Sequence, residues 1–379
     1  MDHRSNSGHL QEIDLRKLAE LQEAERCCLS VYVSSQEHLN QLEQRAEHVR
    51  DLLSDSPDEL TYFERNLALV RRWLDESGFA DGFSGAGLAV FACEMLDYID
   101  GVHLAVAPET GARQDIMRVG GSFYLRPLAE LQDEFEDFLV VAADNRSTRI
   151  IQVASANVET ADHVRGDVAN QVKKGGWSQK RYQRRREKEL HHYAQEINDH
   201  LRDLVEAHGI ERIVLLGSQE TLVELEEVLD AQLAAYVVGR QAADLQQGPD
   251  ALVEEAYELF FAEEREEEEA LWRRIQGEYL SDGLATTGAT RVLDALKLGR
   301  VEEVLVTRNA EIQGTRCHDC ENVHGTPQTC QICGSKEVFQ LDLVDEMVRL
   351  AELSSAHVEF SDEIEGLTGV GEVAALLRY

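Results

Sequence analysis

No apolar run in this 379-residue chain reaches the roughly 18 residues a bilayer span requires. The longest, such as FLVVAA from Phe138, are strand-sized. The segment MDHRSNSGHLQEIDLRKLAEL carries no apolar signal stretch, and the chain reads as cytoplasmic, with no membrane partner. Basic charge is scarce: 37 Lys and Arg stand against 72 Asp and Glu, a formal net charge of −35. Such an excess disfavours diffuse nucleic-acid binding, so any contact with RNA must be local and must overcome the surrounding field. Internal repeats are absent, as are helix-turn-helix, finger and RRM signatures. The one biased tract, EEREEEE at Glu263–Glu269, reads as a solvated helix face.

What is present is an α/β pattern on a length that favours two or three domains. The first part alternates apolar strand-like runs (CLSVYV, GLAVFAC, VHLAVA) with helical spacing over Gln36–Leu53 and Pro57–Glu76. FLVVAADNRSTRIIQV is a hairpin pattern, and the polar stretch Ser155–Val172 after it reads as a loop. A long helix is predicted from about Ser178 to a stop at His208-Gly209. IERIVLLG is a strand, Ser218 an N-cap for the next helix, and AAYVVGR a returning strand. Pro249 to Leu280 reads as one helix bridging two domains. These signals give three α/β domains, 1–135, 136–270 and 271–379, the last with an inserted zinc-binding mini-domain at about 313–338.

Seven cysteines fall into two groups. Cys27, Cys28 and Cys93 sit among apolar residues and read as small buried hydrophobes. CHDCENVHGTPQTCQIC instead places Cys317, Cys320, Cys330 and Cys333 as CxxC, nine residues, CxxC. Two such knuckles supply the tetrahedral thiolate set of Zn²⁺. Four protein ligands leave no open position, so the zinc is expected to be structural. His318 and His324 read as solvated neighbours.

The basic charge is concentrated in VKKGGWSQKRYQRRREKE, with eight Lys and Arg from Lys173 to Lys188. Gly175 and Gly176 permit positive φ and close backbone approach. Arg181, Arg184, Arg185 and Lys188 recur at helical steps, with Tyr182, Leu190 and Tyr193 on the other face. Cations in a first helical turn oppose the helix dipole unless an anion is expected there, and phosphate is such an anion. Trp177 can stack on a base. The competing reading is a basic loop whose tryptophan packs internally.

KKGGWSQKRYQRRREKELHHYAQEI resembles the central-domain loop and arginine-rich helix of class-1 peptide-chain release factors of the archaeal and eukaryotic type and of their paralogue Pelota. The terminal GVGEVAALLRY and the four-cysteine insertion are similar to the same family's last domain. Two departures stand out. The family's tip glutamine, which positions the hydrolytic water, is replaced by Trp177, which has one N–H donor and no acceptor. The family's Asn-Ile-Lys-Ser codon-reading motif has no match; SDSPDE, Ser54 to Glu59, stands there and is acidic. This combination resembles the bacterial branch of the superfamily, with its Balon-like ribosome hibernation factors.

The resemblance implies a ribosome-binding translation factor, a monomer off the ribosome, that occupies the A site and reaches the peptidyl transferase centre without hydrolysis. Delivery would use an elongation-factor-type GTPase. The residues implied at rRNA are Lys173, Lys174, Gly175, Gly176, Trp177, Gln179, Lys180, Arg181, Arg184, Arg185 and Arg186. The alternatives are a peptidyl-tRNA hydrolase using Gln179 in a shifted register, a tRNA-cleaving relative, and an RNA-binding scaffold acting off the ribosome.

Overall fold

The computed structural model describes residues 10, 13–77, 87–104, 106, 116–155, 157–165, 177–325 and 329–379. The chain divides into two compact units, Glu136–Glu267 and a second formed by Met1–Phe135 together with Glu268–Tyr379.

The first segment of the two-part unit contains α1 (Leu15–Ala19), β1 (Cys28–Val33), α2 (Gln36–Asn40), α3 (Leu42–Leu52), α4 (Pro57–Ser77), β2 (Gly87–Cys93), β3 (Tyr98–Leu104), β4 (Ile116–Gly120) and α5 (Arg126–Glu134). Its antiparallel sheet has the order β3-β2-β1-β4. Alternation sends Leu29, Val31, Leu88 and Val90 to the face covered by Phe63, Leu67 and Val70 of α4. Cys28, Tyr32, Phe91 and Cys93 point to the other face.

The central unit contains β5 (Phe138–Ala143), β6 (Ser147–Ala154), β7 (Asn157–Arg165), α6 (Trp177–His208), β8 (Ile213–Gly217), α7 (Gln219–Val228), α8 (Ala231–Ala235), β9 (Val237–Ala242) and the first part of α9 (Pro249–Leu280). Its sheet runs β7-β6-β5-β8-β9, with β5, β8 and β9 parallel and β6 and β7 antiparallel. The hairpin is as predicted: Asp144 closes its turn by accepting from the N–H of Arg146 and Ser147, at 2.7 and 2.9 Å. The stretch after it, expected as a loop, contains β7. Its polar sequence hid a strand that pairs along β6 through backbone bonds. Alternation along β5 splits the core: Leu139 and Val141 face Tyr193, Ile197 and Leu201 of α6, and Phe138 and Val140 face Val253, Ala256 and Phe260 of α9.

The last segment adds β10 (Ala285–Thr287), α10 (Ala289–Lys297), β11 (Val301–Thr307), β12 (Gln313–Cys317), β13 (Val323–His324), β14 (Val338–Asp342), α11 (Leu343–Ser354), β15 (His357–Ser361), α12 (Glu365–Gly369) and β16 (Val373–Leu377). The order β10-β16-β11-β15 forms its main sheet, and β13-β12-β14 a small one.

The two segments of this unit share one core and a buried polar seam. Asp345 of α11 caps α5: its carboxylate accepts from the N–H of Leu125 and Arg126, at 2.7 and 3.0 Å. The buried Arg126 side chain donates to Glu130 (2.7 Å), to the carbonyls of Arg308 (2.6 Å) and Ala310 (2.9 Å), and to Asp342 (3.3 Å). Burial pushes the carboxyls of Glu130 and Asp345 up to about 7.

The acidic tract is less solvated than its composition suggests. Arg212 binds Glu264 and Glu267 at 3.3 and 2.9 Å. Glu268 is buried, and its carboxyl, raised to about 7 by burial, accepts from the N–H of Asp362.

Candidate functional site

The rotation of α6 is fixed by its apolar stripe. Leu190, Tyr193, Ala194, Ile197 and Leu201 are buried at three- and four-residue steps. The Tyr193 hydroxyl and the Thr148 hydroxyl share a hydrogen bond of 2.6 Å across to β6, and burial pushes the phenol up to about 12. Arg184, Arg185 and Lys188 are therefore exposed. Arg185 is held by Glu189 at 2.7 Å, one turn on. Arg186 is turned toward α7, where both guanidinium arms bind the two carboxylate oxygens of Glu220. His191 reaches Glu224 of the same helix at 2.7 Å. An acidic helix thus flanks the basic one and supplies internal counter-ions. The helix ends at Gly209, whose φ of +68° lets its N–H reach the Val205 carbonyl at 2.9 Å.

Of the residues implied at rRNA, Lys173, Lys174, Gly175 and Gly176 lie outside the described residues. Trp177, Gln179, Lys180 and Arg181 are in α6 by backbone, and their side chains are outside the description. The resemblance grouped Arg186 with Arg184 and Arg185, and nothing local in the sequence signals its partner on α7.

The four-cysteine insertion folds as two knuckles. Cys317 closes its turn through its N–H to the Asn322 carbonyl (3.0 Å), and Cys330 through its N–H to Ser335 (2.8 Å). Gly334 completes the second turn with φ +75°. All four sulfurs lie within 4.8 Å of one another. Cys317 is 3.5 Å from Cys333, and Cys320 is 3.4 Å from Cys330. Sulfurs sharing a tetrahedral zinc at about 2.3 Å stand roughly 3.8 Å apart, so this donor set fits the ion after a small expansion. The Cys330 sulfur accepts backbone N–H bonds from Cys333 and Ile332, which hold its thiol down to about 5.

His324 departs from its solvated reading. It is half-buried, and its Nε2 is 3.4 Å from the Cys330 sulfur, because β13 lies directly against the knuckle. His318 is exposed beside Glu25, which raises its pKa.

The model of bacterial archaeo-eukaryotic release factor family 10 matches residues 124–260, a stretch that contains α6 and α7. Peptide chain release factor subunit 1 of Thermococcus kodakarensis is 26% identical over 77% of this chain and 79% of its own length. Its counterpart from Archaeoglobus fulgidus is 28% identical over 68% of this chain and 69% of its own. A crystal structure of an archaeal translation termination factor covers 96% of both chains at 16% identity, with a TM-score of 0.27. The similarity is to release-factor-type translation proteins. Over residues 124–260 the chain matches this bacterial release-factor family, and over 77% of its length it is similar to an archaeal release factor subunit.

Proposed function

We propose that this protein binds the ribosome and acts by occupancy, filling the A site of idle or stalled ribosomes. The observation that carries this reading is Trp177. It opens α6 directly after Gly175-Gly176, inside the segment matched by the release-factor family, where relatives place the catalytic glutamine. An indole has one donor and no acceptor, so it cannot orient an attacking water as an amide does. It can pack against a nucleobase. Lys173, Lys174, Gln179, Lys180, Arg181, Arg184 and Arg185 bind rRNA in this reading, and Arg186 joins them when phosphate displaces Glu220. The acidic turn Ser54–Glu59 fits a protein that reads no codon.

Cys317, Cys320, Cys330 and Cys333 hold Zn²⁺, which supplies cross-linking of the two knuckles and no reaction chemistry. Delivery uses an elongation-factor-type GTPase engaged through the last segment, and the chain is a monomer off the ribosome.

The test is co-sedimentation of the full chain with ribosomes at about 50 and 200 mM salt, paired with release of labelled peptide from ribosome-bound peptidyl-tRNA. Salt-sensitive binding without release supports occupancy. Release that Gln179→Ala abolishes favours the hydrolase. Binding to free tRNA but not to ribosomes overturns both.

A further inference from the structure

Cys27, Cys28 and Cys93 share more than burial. They are 0 to 1% exposed, and their sulfurs all lie within 4.8 Å of one another. Cys28 opens β1 and Cys93 ends β2, one step beyond the Leu29–Ala92 pair, and both emerge on one face of the sheet. Cys27 turns in from the preceding residue, and its sulfur is 3.7 Å from that of Cys93. Sulfurs sharing one ion at about 2.3 Å stand roughly 3.8 Å apart. The carbonyl oxygen of Gly121 is 3.7 Å from the Cys28 sulfur.

One further observation separates this cluster from ordinary apolar packing: the backbone around it is clamped. Buried Asn66 donates to the Cys27 carbonyl at 2.6 Å and accepts from the Glu94 N–H at 2.7 Å, tying together the two chain ends that carry the sulfurs.

We infer that Cys27, Cys28 and Cys93 form a second metal site, which binds a soft thiophilic ion, zinc(II) or copper(I), through three thiolates. Three sulfurs complete the set of a trigonal copper(I). A zinc ion takes one oxygen in addition, and the Gly121 carbonyl is at hand for it. Each thiol that binds gives up its proton, and the ion offsets part of the resulting charge, two of the three negative charges as zinc(II) and one as copper(I). Bound there, it staples the ends of β1 and β2 as the C-terminal site staples its two knuckles.

The decisive material is the full chain carrying Cys317→Ser and Cys320→Ser, which breaks the C-terminal set. It is produced in zinc-supplemented and, separately, in copper-supplemented medium, and ions per chain are counted by native mass spectrometry. One ion retained in either arm, and lost on adding Cys93→Ser, is the expected result. X-ray absorption at the metal edge then gives about three sulfur neighbours near 2.3 Å, a readout that does not depend on Cys93→Ser folding. No ion in either arm, a first shell of nitrogen and oxygen alone, or a Cys27–Cys93 disulfide found by peptide mapping overturns the inference.

Discussion

Replacing Arg126 by alanine tests the polar seam that joins the two segments of the larger unit. The side chain is 7% exposed and serves two carboxylates and two carbonyls. Its loss leaves Glu130 and Asp342 buried without their cation. Breaking a buried ion pair from one side costs about 3–5 kcal/mol, a large share of a typical domain's stability. The pH dependence sharpens the test. Glu130 has a folded value of about 7, above the roughly 4.3 of an unfolded glutamate, so the folded state takes up its proton and stability falls as pH rises toward 7. Above that point the wild-type carboxylate is ionised beside Arg126 and the loss stops. Without Arg126 the carboxyl stays protonated, and each further pH unit costs about 1.4 kcal/mol. The penalty of Arg126→Ala should therefore grow by about 1 kcal/mol between pH 7 and pH 8. Trp73 and Trp272 both belong to this unit, so urea unfolding followed by fluorescence in a Trp177→Phe background reads it directly. Glu130→Gln in the same background should remove most of the added pH dependence. A penalty below about 1 kcal/mol that is flat from pH 6 to 8 would refute the clamp.

Other perturbations have equally defined outcomes. Glu220→Gln removes the carboxylate that pairs with Arg186, and the ribosome-binding slope against log salt should steepen by about 0.7–0.9; an unchanged slope means that Arg186 meets no phosphate. Asp345→Asn removes a half-buried carboxyl raised to about 7, and should flatten the loss of stability from about pH 4 to pH 7 in thermal melts. Gly217 has φ +146°, and a Cβ there would stand 1.8 Å from the Ala143 carbonyl oxygen, so Gly217→Ala should abolish folded yield of the central unit by circular dichroism. Cys330→Ser should lower bound zinc by one ion per chain and speed proteolysis around β12–β14; unchanged metal content would remove Cys330 from the ligand set.

Much of the architecture is legible because its signals are local. Pro249 opens α9 and Leu280 closes it, at the residues the pattern named. Ser218 caps α7 by accepting from the Thr221 N–H. The hairpin turn at Asp144 is equally local. The four-cysteine set is legible for the same reason, since its spacing carries its geometry. What escaped notice joins distant residues. Nothing around Arg126 announces partners more than 180 residues away. Cys27 and Cys93 are separated by 66 residues and read as filler until the sheet brings them together. Glu220 and Arg186 meet only because α6 and α7 pack side by side. β7 was hidden because a polar edge strand carries no apolar alternation.

The seam also sets a clock for synthesis. Arg126 and Glu130 leave the ribosome together, but the carbonyl of Arg308 follows 182 residues later and Asp342 follows 216 residues later. At about 5–20 residues per second that interval is roughly ten to forty seconds. Meanwhile residues 136–267 emerge complete, with a sheet and core of their own. The nascent chain thus finishes its middle before its beginning, and the first segment must wait, with its apolar sheet face uncovered, for the last to arrive.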